Sequence, residues 1–172
     1  MALTLMRHAP LHPKYQKRYN GWTDLSIEPS LFDGKAVEIL TRQRFDLIYS
    51  SDLQRCTQTL IYMGIEDFKT DERLREVRFK AHIEGKSFKE VSELPNYLEE
   101  VIKSDESWHN FICAESQTAF ERRIKSFLSE LPKEKEILIC SHAGTLQKML
   151  TLLGITKEKI DHLEFIRLEN VL

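Results

Sequence analysis

At 172 residues the chain is long enough to bury one substantial hydrophobic core, and a single domain is the natural expectation. Its 41% apolar and 30% charged residues are ordinary for a soluble globular protein, and a formal net charge of −2 provides no global field to attract nucleic acid. Three cysteines, Cys56, Cys113 and Cys140, with no C-x-x-C pair argue against a disulfide framework or a zinc site and suit a reducing cytoplasm.

The first element is ALTLM, which reads as a short buried strand ending on Arg7-His8. It is too short for a secretory signal, and no run of about eighteen apolar residues occurs anywhere, so no membrane partner is expected. A polar, aromatic-rich loop follows through Asp33. GKAVEILTRQR (34–44) carries Ala36, Val37 and Leu40 at helical spacing, with Asp33 placed to cap it. FDLIYSS predicts a second strand. SDLQRCTQTLIYM predicts a helix capped by Ser51 or Asp52, with Leu53, Cys56 and Leu60 on one face. Residues 66–70 read as a third short strand.

From Asp71 to Glu115 the pattern loosens into charged, short amphipathic pieces such as FKEVSEL and YLEEVI, interrupted by Pro95. This stretch reads as short helices laid over a sheet. Ser116 then caps the helix SQTAFERRIKSFLSEL, closed by Pro132. EILICS predicts a buried strand, HAGTLQKMLTLLG a helix ending at Gly154, and HLEFIRLE a last strand. Strands alternating with helices of this length predict an α/β three-layer sandwich with a mostly parallel central sheet. One domain is expected over 1–172, with a helical insertion at about 77–114.

In such sheets ligands collect beyond the carboxyl ends of the strands. Three endings are informative: Arg7-His8, Ser51-Asp52 with Arg55 one turn on, and Ser141-His142-Ala143-Gly144. Singly, each is weak, since a strand-end histidine is more often structural and Arg55 could be an ordinary exposed helix residue. Together they bring two arginines and two histidines to one edge, and clustered cations call for an anionic partner such as phosphate, which guanidiniums grip bidentately. The helix start after Ser141 could add backbone N–H donors. No P-loop, G-x-G-x-x-G, G-x-S-x-G or H-E-x-x-H pattern is present. His8 and His12 fall in a loop containing Pro10 and Pro13 and do not form a helical metal pair. Neither a metal nor another cofactor is expected.

These blocks resemble the histidine phosphatase superfamily, the phosphoglycerate mutase-like enzymes, in its branch of small cofactor-independent phosphatases. TLMRHA is similar to that family's opening strand and R-H-G signature, NGWTD to the segment after it, and YSSDLQRCTQT to its S-D-L-x-R-x-x-Q-T block. RLRE resembles the piece carrying the family's acid, AESQTAFERR its G-E-S…R segment, and CSHAGTLQKML its second histidine block. The resemblance implies that His8 is the nucleophile, forming a phosphohistidine. It implies that Arg7, Arg55 and a protonated His142 surround the phosphoryl group, and that Glu76 is the general acid and then base. Asn20, Gly21 and Ala143 are implied as substrate-binding positions. Departures are Ala9 and Pro10 after the R-H pair, Ala143 for a common glycine, and Lys14 where many members carry a phosphate-contacting Asn.

The implied activity is that of a metal-independent phosphomonoesterase acting on a small phosphorylated metabolite, with α-ribazole phosphatases similar in layout. A phosphohistidine protein phosphatase, a phosphoglycerate mutase and a catalytically silent binding module remain as alternatives. Against the mutase, the insertion is short and holds a single arginine, Arg78, while Arg122-Arg123 reads as a solvated helix face. The natural substrate and the oligomeric state are not legible.

Overall fold

The computed structural model describes residues 2–157 and 159–171. Among them, strands β1 (Ala2–Arg7), β2 (Leu47–Ser50), β3 (Lys69–Thr70), β4 (Glu136–Ser141) and β5 (Phe165–Glu169) form one sheet in the order β3-β2-β4-β1-β5. The first four are parallel, and β5 closes one edge antiparallel to β1. The α/β architecture is thus the one the alternation predicts.

The side chains of the two central strands alternate between faces, as the period of a strand requires. Leu3, Leu5, Ile137 and Ile139 face one side, where α5 (Gln117–Ser129) and α6 (Ala143–Leu152) bury Phe120, Ile124, Phe127, Leu146 and Met149. Met6, Leu138 and Cys140 face the other, against Val37 and Leu40 of α1 (Gly34–Arg42) and Cys56 and Leu60 of α2 (Gln54–Tyr62). The insertion supplies α3 (Phe88–Ser92) and α4 (Asp105–Ile112), which add Val91 and Ile112 to the first layer.

Local chemistry explains most boundaries. Asp33 caps α1 by accepting from Lys35 N at 3.0 Å, and Ser116 caps α5 by accepting from Ala119 N at 3.2 Å. Gly154, just past α6, takes a φ of +75°, the left-handed stop that glycine adopts without strain. Three boundaries differ from the sequence expectation. Helix α2 begins at Gln54, and neither Ser51 nor Asp52 caps it. Its first N–H is instead met by Asp24 from the early loop, Gln54 N to Asp24 Oδ1 at 2.7 Å. Strand β3 shrinks to two residues, and β5 begins only at Phe165. His162 and Leu163 lie in a turn before β5, with Leu163 buried at a φ of +61°, where a bulky side chain is strained.

Central placement makes β4 the strand whose truncation should cost most. Leu138 is fully buried between the sheet and α1/α2. Leu138→Ala is expected to lower unfolding stability by about 3 kcal/mol, read from urea denaturation against wild type.

Candidate active site

The register between the two central strands builds the site. Arg7 lies opposite Ser141, and His8 N donates to Ser141 O at 3.0 Å, so the Arg7-His8 and Ser141-His142 segments leave the sheet side by side. Ser51 N donates to Cys140 O at 3.0 Å and brings the end of β2 to the same edge. Above these ends opens a cleft of about 190 Å³, lined among others by Arg7, His8, Arg55, Glu76, His142 and Ala143.

His8 is buried, and its Nδ1 lies 2.7 Å from Ala9 O. A carbonyl only accepts, so Nδ1 carries the hydrogen and Nε2 keeps its lone pair. Burial, then Arg55 and Arg7, push the His8 pKa well below the usual histidine value, so the ring is neutral at pH 7. Ala9 is pinned in turn by its N–H to Thr59 Oγ1 at 2.8 Å.

His142 sits 5.3 Å from His8, centroid to centroid. Its Nδ1 accepts from Arg55 Nε at 3.0 Å, which leaves the ring hydrogen on Nε2, 2.9 Å from Ser51 Oγ. Burial and the adjacent Arg55 push its pKa well down too. This corrects the protonated His142 of the sequence reading, because a ring that accepts from a guanidinium has no room for a second proton. The positive charge of the cleft comes from its arginines and Lys17.

Arg55 is 1% exposed, which excludes the alternative of an ordinary exposed helix residue. Its guanidinium donates to the carbonyls of Gly21 at 2.7 Å, Thr23 at 2.8 Å and Asn20 at 3.3 Å. Arg7 Nη1 donates to Ile160 O at 2.8 Å, while its Nε is buried with no partner among the described residues. Burial lowers the pKa of both arginines from a very high starting point, and they stay charged. Two charged guanidiniums and an imidazole with a free lone pair lining one cleft suit an oxyanion.

Glu76 is the one carboxylate among the residues lining the cleft. Its Oε2 accepts from Gly144 N at 3.0 Å and its Oε1 from Val77 N at 2.9 Å. The N-terminal N–H of Gly144 in α6, which the sequence reading offered to a ligand, therefore goes to Glu76. Gly144 has no alternative: a Cβ there would stand 2.5 Å from Glu76 Oε1.

Comparison with known proteins gives the family. The model of the histidine phosphatase superfamily (branch 1) matches residues 3–171. The chain belongs to that superfamily. A protein of Hydrogenobacter thermophilus that carries the name phosphoserine phosphatase 2 is 31% identical over 92% of this chain and 81% of its own length. A phosphoglycerate mutase of Pseudoalteromonas atlantica is 40% identical over 34% of this chain and 26% of its own. Among solved structures, TTHB049 of Thermus thermophilus superposes with a TM-score of 0.74 at 24% identity, covering 99% of this chain and 95% of that one. The mycobacterial glucosyl-3-phosphoglycerate phosphatase gives 0.77 at 18%, covering 96% and 88%. Family and relatives together support a phosphatase or mutase-like enzyme. Among the described residues, no helix is long and apolar enough to cross a membrane.

Within this cleft the sequence-predicted residues divide. Arg7, His8, Arg55, Glu76 and His142 converge on one cleft, and Asn20 and Ala143 line it. Gly21 is not among the lining residues: it gives its carbonyl to Arg55, and a Cβ on it would stand 2.8 Å from Val77 O. Lys14 lies in a neighbouring groove, its ammonium 4.7 Å over the Tyr15 ring.

Two residues escape the sequence reading. His162 lines the cleft with its ring 5.3 Å from that of His8. Arg123 is no solvated helix residue, with a side chain only 15% exposed. It donates to the carbonyls of Arg73 at 2.5 Å, Arg75 at 2.9 Å and Glu76 at 3.0 Å, and pairs with Glu115 at 2.7 Å. Its position three residues after Phe120 and four before Phe127 is the available signal, because that spacing puts it on the buried face.

Arg123→Leu would strand Glu115 and three carbonyls in a site with little water. Stability should fall by about 3 kcal/mol in a urea melt, and Glu76 should lose its fixed position.

Proposed function

We propose that this chain is a phosphomonoesterase that hydrolyses a small phosphorylated metabolite without a metal, through a phosphohistidine on His8. The observation that carries the reading is the His8 tautomer: Nδ1–H held by Ala9 O, and Nε2 unprotonated in a cleft that Arg7 and Arg55 also line. The phosphoryl oxygens lie against Arg7 and Arg55, whose charge stabilises the equatorial oxygens as the bond to the leaving oxygen lengthens. His8 Nε2 attacks phosphorus, and Glu76 in its acid form gives its proton to the departing alkoxide. Glu76, now a carboxylate, takes a proton from the incoming water. That water cleaves the P–N bond and returns His8 to its neutral form with release of phosphate.

Hydrolysis is favoured over the mutase reaction by the insertion. Its one arginine, Arg78, lies over Trp22 at 5.2 Å and is not among the residues lining the cleft. Among the described residues, no second cation from that segment lines the cleft to grip a substrate carboxylate. The name of the Hydrogenobacter relative makes phosphoserine the first substrate to assay, followed by α-ribazole phosphate. A cytoplasmic setting belongs to the same reading, since all three cysteines are free and buried.

His8→Ala should abolish hydrolysis of p-nitrophenyl phosphate with the circular-dichroism spectrum unchanged, and wild type quenched in alkali should carry acid-labile phosphate. Wild-type turnover should persist in EDTA. Retained turnover in His8→Ala would overturn the nucleophile assignment, and loss to chelator restored by a divalent cation would overturn the metal-free one.

Glu76→Gln should lower kcat by about 10²–10⁴-fold on an alkyl phosphate and far less on p-nitrophenyl phosphate, whose leaving group needs no proton. Equal losses on both would reduce Glu76 to a structural role. Gly144→Ala, which displaces the same carboxylate, should follow the same leaving-group pattern.

A further inference from the structure

Beyond the residues that the family signature accounts for, the cleft contains a third imidazole. His8 is flanked on one side by His142 and on the other by His162, each with its ring centroid 5.3 Å from that of His8 and at angles of 61° and 57°. The two flanking rings differ in what they have left to offer. Both nitrogens of His142 are engaged, one by Arg55 Nε and the other by Ser51 Oγ. Neither ring nitrogen of His162 has a hydrogen-bond partner among the described residues, although the ring is half-buried and faces the cleft.

The backbone around His162 is built to hold it there. The turn before β5 clasps Arg7 from both sides: Leu163 N donates to Arg7 O at 3.1 Å, and Arg7 N donates to Glu164 O at 3.1 Å. Ile160 O takes the Arg7 guanidinium at 2.8 Å. The Glu164 carboxylate folds back to accept from Asp161 N at 2.7 Å. Leu163 is forced into the left-handed region to complete the turn, with its side chain locked in the core. Strain of this kind is maintained where the structure over-determines a conformation, and here it directs an imidazole at the nucleophile. The same clasp holds the Arg7 side chain and the turn that carries His162.

We propose that His162 is a substrate-contacting residue, donating a ring N–H to an oxygen of the phosphoryl group as it is transferred to His8. This rests on the phosphatase reading above, in which the phosphoryl group occupies the space between His8, Arg7 and Arg55. Burial, then the charge of Arg7, push the His162 pKa down to about 4, so at pH 7 the ring is neutral with one N–H and one lone pair. The charged groups acting on it among the described residues are Arg7 from β1, and Lys159 and Asp161 from its own segment. A neutral donor adds a hydrogen bond to the phosphoryl oxygens where Arg7 and Arg55 already supply charge and Lys17 and Arg18 also line the cleft, whereas a further cation would raise its self-repulsion.

The test compares wild type, His162→Ala and His162→Gln by kcat/KM on p-nitrophenyl phosphate and by calorimetric binding of orthovanadate, with thermal melts as a fold control. His162→Ala is expected to lose about tenfold to a hundredfold in both kcat/KM and vanadate affinity at an unchanged melting temperature. His162→Gln, which keeps an N–H donor at similar reach, is expected to recover most of that loss. Parameters within twofold of wild type in His162→Ala would overturn the proposal, as would a Gln variant as impaired as the Ala one, since the loss would then belong to the shape of the turn. Vanadate binding reads the contact even if wild type fails to turn over. In that event the phosphatase reading falls while the contact is still decided.

Discussion

Everything functional in this molecule depends on the parallel pairing of β1 with β4. Two buried strands, far apart in the chain, are aligned so that Arg7 faces Ser141, and the bond from His8 N to Ser141 O extends the ladder one step past the last strand residue. That step places the two histidine-bearing segments in contact at the edge of the sheet, where backbone groups run out of partners and side chains take over. A one-residue slip would send His8 to the opposite face, because side chains alternate along a strand. The core alternation of Leu3, Leu5, Ile137 and Ile139 against Met6, Leu138 and Cys140 forbids that slip. Packing, in other words, sets the catalytic geometry.

On this frame the electrostatics are deliberately one-sided. The guanidiniums of Arg7 and Arg55 meet one carboxylate in the cleft, with Lys17 and Arg18 also among its lining residues, and that carboxylate accepts from the backbone N–H groups of Val77 and Gly144. The histidines answer by staying neutral, driven there by burial and by the arginines themselves. A neutral His8 is both less costly to bury and the form that has a lone pair to donate, so one cause serves stability and chemistry. The carbonyls of Asn20, Gly21, Thr23 and Ile160 stabilise the guanidiniums without cancelling their charge, which leaves the field available for a dianion.

What was legible in the sequence was local. ALTLM and EILIC announce themselves as buried strands, Asp33 and Ser116 as caps, and the polar residues at strand ends follow from the topology of parallel sheets. The resemblance carried Glu76, which composition alone would have left as a surface charge. What escaped depends on partners distant in the chain. Ser51 and Asp52 look like caps, yet His142 and Arg75 claim them, and Asp24 reaches across to do the capping. The distinction between Arg122 and Arg123 rests on helical phase, which the adjacent pair disguises. His162 was hidden because HLEFIRLE reads as one continuous strand, and nothing in the local pattern says that Leu163 adopts a positive φ.

The edge position of β5 has a consequence for how the molecule comes into being. During synthesis β1 is made long before its two neighbours in the sheet, β4 and β5. Until they are made β1 has neither of its sheet partners, a hydrophobic segment followed by an arginine and a histidine that have nothing to grip. Contacts of such long sequence separation form slowly and leave strand edges open while they wait. The wall of the cleft around Arg7 is consequently completed only when the turn at Ile160–Glu164 closes on it. A nascent or C-terminally clipped chain would hold the signature residues of the family without the site they make.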